Sequence, residues 1–154
     1  MLTLFRYNWH VRDEWFDWCS KVPFEELIRT RVGGVGSILH TLFHVVDAEG
    51  SWIGALAGKP DPQPKFQDYM NVEKILHLSH EFRAKVKPFV EEWTSEKEAT
   101  TISVYWNPGD MFTYGEVARH VIAHEIHHIG QLSVWSREIG LEPVSANLIG
   151  RKSS

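Results

Sequence analysis

The residues best suited to chemistry are the histidines of the run His124-Glu125-Ile126-His127-His128, which lies inside a long segment of helical apolar periodicity. His124 and His128 are four residues apart, so a helix places both imidazoles on one face, one turn apart. Neutral imidazole is the commonest metal ligand among side chains. Two such rings from one helix and a third from a neighbouring helix would form a metal site with positions left open for chemistry.

An earlier apolar-periodic segment offers the third imidazole. His44 lies there on a stripe of small residues, where a neighbouring backbone can come close. We favour His44 over His40, although His40 is one turn away and the sequence alone barely separates the two. A lone inward histidine is more often a core residue than a ligand. The His124/His128 pair changes this balance, because two buried imidazoles one turn apart have few protein groups to bond.

Two further residues flank the candidate ligands. His127 projects about 60° from His124 on a helix, so it lies at the boundary of the site or supports it from behind. Gln131 follows His128 by one turn. It is placed either to hydrogen-bond a ligand at the metal or to stand at the helix margin as an ordinary polar residue.

The segment from His124 to His128 also matches H-E-x-x-H, in which two histidines bind zinc and the glutamate is the general base of a protease. The extended form of that motif needs a third histidine downstream and a glycine three residues after the second. Here Gly130 comes two residues after His128 and no histidine follows. Helical spacing also puts Glu125 on a different face from the histidines. A di-iron bundle needs Glu-x-x-His on two helices, and only the Glu125/His128 pair occurs.

Four helices are predicted to position these residues, over 3–20, 37–57, 71–93 and 113–139. Charged residues from Arg12 to Asp17 are interleaved with the apolar stripe of the first, Pro88 predicts a kink or break in the third, and Thr113 with Glu116 forms a capping box for the fourth. Residues 99–106 and 111–114 are predicted to pair as a β-hairpin around a turn at 107–110. The fold class is therefore all-α, a four-helix bundle with a short β-hairpin before the last helix, in one domain over 1–154.

Composition excludes several classes of protein. The 154 residues carry a net charge of −4 with scattered lysines and arginines, so nucleic acid is not an expected partner. No apolar run approaches the ~18 residues of a membrane span. The N-terminus lacks the apolar region of a signal peptide, and Cys19 is the one cysteine. We therefore expect a cytoplasmic protein with no membrane association.

Two segments carry a resemblance to a known family: Ser37–Trp52, with His40 and His44, and His120–Leu132, with His124 and His128. Together with the order of elements, they resemble the DinB family of the YfiT/DinB-like metalloprotein superfamily. The resemblance implies an up-down-down-up four-helix bundle that holds a divalent metal ion through three histidines, which here are His44, His124 and His128. Zinc or nickel is expected first and iron next, since imidazole suits all three. Ile129 stands where many relatives have arginine, so an anion contact by that arginine does not carry over.

Characterised members of that superfamily include thiol transferases that use bacillithiol or a related thiol, and a mycothiol-dependent isomerase. The first hypothesis is thus a metal-dependent thiol S-transferase, whose partners are a low-molecular-weight thiol and a small electrophilic substrate. The second is a metal-dependent hydrolase, for which Asp47 and Glu49 are weak candidates as general base. The third is a non-catalytic metal-binding stress protein. The resemblance and the seven tryptophans lead us to expect a homodimer.

Overall fold

Four long helices dominate the computed structural model, which describes residues 1–151. Within these residues the elements are α1 (Leu2–Cys19), α2 (Phe24–Ile28), α3 (Ile38–Leu56), α4 (Val72–Glu91), α5 (Ser95–Glu98), β1 (Thr101–Val104), β2 (Asn107–Thr113) and α6 (Tyr114–Glu138). Helix α3 packs on α4 and α6, and α1 packs on the same two helices. The protein is therefore mostly helical with a small antiparallel sheet, as expected, and the up-down-down-up order stays a prediction. Among the described residues, no helix is long and apolar enough to cross a membrane.

Side-chain caps begin three of the four long helices. Ser37 and Asn71 precede α3 and α4, and each side chain accepts a hydrogen bond from a backbone N–H three residues on. Thr113 and Glu116 form the predicted capping box at the start of α6. The break predicted at Pro88 is wrong, because α4 continues through this residue to Glu91. Pro88 lies in the last turn, and only three residues of α4 follow it.

The hairpin has a different register from the predicted one. Val104 pairs with Asn107, so the reversal falls at Tyr105 and Trp106, and not at 107–110. Residues 107–110 begin the second strand instead, and the register shifts between Ile102 and Val104. The turn-forming residues therefore produce an irregular strand, in which Gly109 adopts a φ of 92°.

The helices bury two apolar clusters separated by a polar layer. One cluster includes Trp15, Leu42 and Leu132, and the other includes Ile53 and Val117. The layer between them consists of five side chains drawn from all four long helices: Trp9, Arg12, Glu49, Ser79 and Glu125. Since Glu49 and Glu125 each fall between members of the two clusters along their own helices, the polar layer crosses the middle of the protein.

Arg12 is the centre of this polar layer. Its Nε and Nη2 donate to the two oxygens of Glu125 at 2.7 and 2.6 Å, and its Nη1 and Nη2 donate to Glu49 at 3.2 and 2.9 Å. Trp9 Nε1 also donates to Glu49, and Arg12 Nη1 also donates to the hydroxyl of Ser79. Arg12, Glu49 and Glu125 are 0–2% exposed, so all three charged side chains lie in the core. A buried charge of this kind is tolerated because every member has a partner.

Candidate metal centre

Three histidines converge between α3 and α6. Helix α3 supplies His44, and α6 supplies His124 and His128. Nε2 of His124 lies 3.0 Å from Nε2 of His44, and one ligand atom from each of the three residues lies within 4.8 Å of the others. Tetrahedral zinc with nitrogen ligands at about 2.0–2.1 Å separates them by about 3.3 Å. The spacing of these nitrogens is therefore close to that of ligands around one ion.

Burial keeps these imidazoles neutral. Burial is the largest cause that lowers the pKa of His44 and of His124 to about 4, and the neighbouring histidines contribute to the same decrease. Burial also lowers the pKa of His128, while the side chain of Gln131 acts in the opposite direction. Each ring therefore has a free lone pair at neutral pH. Three converging neutral imidazoles suit a divalent metal ion, and these three residues could hold one.

His40, His120 and His127 lie near the site but outside the cluster of His44, His124 and His128. His40 turns away and stacks on Phe66, with ring centroids 4.2 Å apart and planes within 6°. His120 and His127 are exposed, with their rings 5.8 Å from His124 and 5.2 Å from His128, respectively. The preference for His44 over His40 agrees with this geometry, since His40 lies outside the cluster.

Glu125 is unavailable to the site despite its place in the H-E-x-x-H pattern. It is buried on a different side of α6 from the histidines, and both of its carboxylate oxygens accept hydrogen bonds from Arg12. Glu49, considered above as a base, accepts hydrogen bonds from the same guanidinium. Neither carboxylate can therefore activate a water at the histidines, which argues further against a protease.

Polar side chains line α3 beyond His44. Asp47 is half-buried one turn from His44, and burial together with Asp61 raises its pKa. Ser51 donates to Asp61 at 2.9 Å and lies 3.5 Å from Asp47, and Tyr105 donates to Asp61 at 2.5 Å. The sequence did not reveal Asp61 and Tyr105, because a loop and the hairpin turn bring them to α3 from distant positions.

An aromatic cluster connects the hairpin with the histidines. The ring of Trp52 makes edge contacts with Trp106 at 5.1 Å, Phe112 at 5.9 Å and His120 at 5.9 Å. Since His120 is in turn 5.8 Å from His124, the hairpin lies along one side of the candidate metal centre. The position of the hairpin beside the histidines could not be predicted from the sequence, because it depends on contacts between distant residues.

A glycine-rich loop, residues 31–36, lies against α6 one turn beyond His128. Trp135 of α6 donates its Nε1 hydrogen to the carbonyl of Val32 at 3.2 Å. A Cβ atom at Gly34 would overlap Oε1 of Gln131 and would lie 2.8 Å from its Cδ. The backbone therefore passes directly against the Gln131 side chain. A contact across about a hundred residues leaves no local signal in the sequence.

Fold and site together define a helical protein with a candidate three-histidine metal centre, and comparison with known proteins assigns it to a family. A sequence model of the DinB family matches residues 1–154, so the chain belongs to the DinB family. The uncharacterised protein YizA of Bacillus subtilis is 48% identical over 151 residues, covering 98% of this chain and 95% of YizA. The crystal structure of a DinB-like protein from Bacillus cereus superposes with a TM-score of 0.64 at 20% identity, over 90% of this chain and 89% of that one. That similarity concerns the fold.

Proposed function

We propose that this DinB protein is a metal-dependent thiol S-transferase. The observation that carries the proposal is the convergence of three neutral imidazoles at a half-open site from which the neighbouring Glu125 is withdrawn into the core. Such a site offers a full positive charge and an open position but no strong general base. This combination suits a thiol nucleophile, because a thiol coordinated to a divalent cation loses its proton outright.

The residues of the site have distinct parts in this scheme. His44, His124 and His128 would hold the ion, for which zinc and nickel are the first candidates and iron the next. The ion would supply a Lewis-acidic charge that favours the ionised form of a low-molecular-weight thiol such as bacillithiol. The thiol proton would pass to solvent, the sulfur lone pair would form a bond to an electrophilic carbon of the substrate, and the leaving group would depart with the electron pair of the broken bond. Trp52 and Trp106 would shield this reaction from water.

One observation favours a metal-dependent hydrolase as the second candidate. Asp47 is half-buried one turn from His44, and burial raises its pKa. A carboxylate with a raised pKa is a better general base near neutral pH. In that scheme Asp47 would take a proton from a water that attacks an ester or amide. Asp47 also lies within reach of Ser51 and close to Asp61, so it has a structural role without any reaction.

The test is turnover by zinc- or nickel-loaded protein with bacillithiol and a panel of haloaromatic and epoxide electrophiles. We expect thiol-dependent turnover that is lost in His124→Ala and retained in His40→Ala, since His40 lies outside the cluster. Ester cleavage without thiol, lost in Asp47→Asn, would favour the hydrolase instead. Bound metal without either activity would support the third hypothesis, a non-catalytic metal-binding protein.

A further inference from the structure

Three enclosed polar atoms at the candidate metal centre lack hydrogen-bond partners among the described residues. They are Nδ1 of His124, Nδ1 of His128 and Oε1 of Gln131. Gln131 follows His128 by three residues on α6, so helical geometry puts the two side chains side by side. Nδ1 of His128 can donate and Oε1 of Gln131 can accept, so a hydrogen bond between these two atoms would satisfy both.

The glycine-rich loop fixes the position of the Gln131 amide. Gly34 has a φ of +50° and lies against this amide, where any Cβ atom would overlap Oε1. Gly33 comes near from the same side, since its Cβ would lie 3.8 Å from Nε2 of Gln131. The bond from Trp135 to Val32 ties the loop to α6. The amide is therefore held between α6 and the backbone of loop residues that carry no side chain.

We propose that Gln131 is a positioning residue, clamped by Gly34, that accepts a hydrogen bond from Nδ1 of His128 and so directs Nε2 of that ring to the metal ion. Histidines that bind metals almost always donate their second ring N–H to an oxygen acceptor, which fixes the tautomer and the ring orientation. The inference rests on the proposed metal centre. It adds a role for Gln131, and through it for a loop that contributes no ligand.

Substitutions at Gln131 test the acceptor directly. Loss of such a supporting partner typically weakens metal affinity by about 10–100-fold. Gln131→Met keeps the length of the side chain but removes the acceptor, so we expect a loss of this size. Gln131→Glu keeps an acceptor at the same place, so it should restore most of the affinity.

Substitutions in the loop test the clamp. Gly34→Ala should displace the amide and weaken metal binding as Gln131→Met does. Gly36→Ala is the matched control: its φ of +96° is at least as unfavourable for alanine, but a Cβ there would meet nothing within 4 Å. In a Gln131→Ala background the clash is removed, so adding Gly34→Ala should cause no further loss. Such non-additivity is the signature of two residues that act together.

The experiment measures the affinity of each purified protein for Co²⁺ alone, by competition with a chelating dye, together with the visible absorption of bound Co²⁺ and the melting temperature of the metal-free protein. The proposal predicts weakened binding and an altered Co²⁺ spectrum in Gln131→Met and Gly34→Ala, with melting temperatures matching those of Gln131→Glu and Gly36→Ala. Wild-type affinity in Gln131→Met would overturn this inference and leave the metal centre standing. Failure of the wild type to bind Co²⁺ would overturn both, whereas tight Co²⁺ binding without turnover would count against the transferase alone.

Discussion

Removal of Arg12 should destabilise the protein severely, because its guanidinium is the one cation of the buried polar layer described above. Arg12 donates four hydrogen bonds to the carboxylates of Glu49 and Glu125 and a fifth to Ser79. Arg12→Met would remove all five and leave both carboxylates buried. Breaking a buried ion pair by removing one partner costs about 3–5 kcal/mol. For a chain of this size each kcal/mol lowers the melting temperature by about 2–4 °C, so we expect a decrease of about 6–20 °C.

The dependence on pH gives this prediction a second test. Burial already raises the pKa of Glu125, and Arg12 opposes the rise, so the variant should raise it further. A folded-state pKa above that of the unfolded chain means that the folded protein takes up the extra proton. The penalty should therefore be largest at neutral pH and should shrink as the pH falls towards about 4, near the pKa of glutamate in the unfolded chain.

The assay is guanidinium unfolding followed by circular dichroism, at several pH values between about 4 and about 8. Arg119→Met is the matched control, because Arg119 pairs with Glu98 at 2.8 Å but is 61% exposed. An exposed pair contributes under about 1 kcal/mol. If Arg12→Met costs no more than Arg119→Met, or if its cost is the same at every pH, the account of the polar layer is refuted.

Three further predictions concern the core and the histidines. Gly50→Ala should lower the free energy of unfolding by about 1–3 kcal/mol, because its Cβ would overlap a phenylalanine ring of α4. Gly54→Ala, whose Cβ has room, should cause no such loss, and equal unfolding free energies in the two variants would contradict this packing. Burial raises the pKa of Cys19 to about 12, so a disulfide reagent should modify this thiol only in denaturant, and rapid labelling of the native protein would be evidence against the packing. Because burial lowers the pKa of His44 and His124 to about 4, the metal-free protein should lose stability as the pH falls from 6.5 towards 4; an unchanged pH dependence in a variant with glutamine at both positions would disprove the assignment.

The sequence was sufficient for the features that local patterns encode. The four long helices follow from apolar periodicity, and their starts at Ser37, Asn71 and Thr113 follow from capping side chains. The pairing of His124 with His128 follows from helical spacing, and their convergence with His44 agrees with the resemblance to the DinB family. In each case one turn of helix, or one motif, contains the whole signal.

Features that depend on distant contacts were missed. Arg12 lies at helical spacing from Trp9 and Phe16, on the buried face of α1, but its charge made a polar side the natural assignment. Only the fold shows that Glu49 and Glu125 meet it from other helices. A helical wheel that ignored charge would have placed all three inward. No sequence pattern of this kind predicts the contact of the glycine-rich loop with α6, since it joins residues that are about a hundred positions apart.

The central claim is that His44, His124 and His128 bind a metal ion, and metal content tests it most directly. Untagged wild-type protein should be compared by mass spectrometry with alanine variants at these three positions and with His40→Ala. We predict about one ion per chain in the wild type and in His40→Ala, as for a single three-histidine centre, and its loss in the other variants. A metal-free wild type after attempted reconstitution, or full metal content in His124→Ala, would contradict the account.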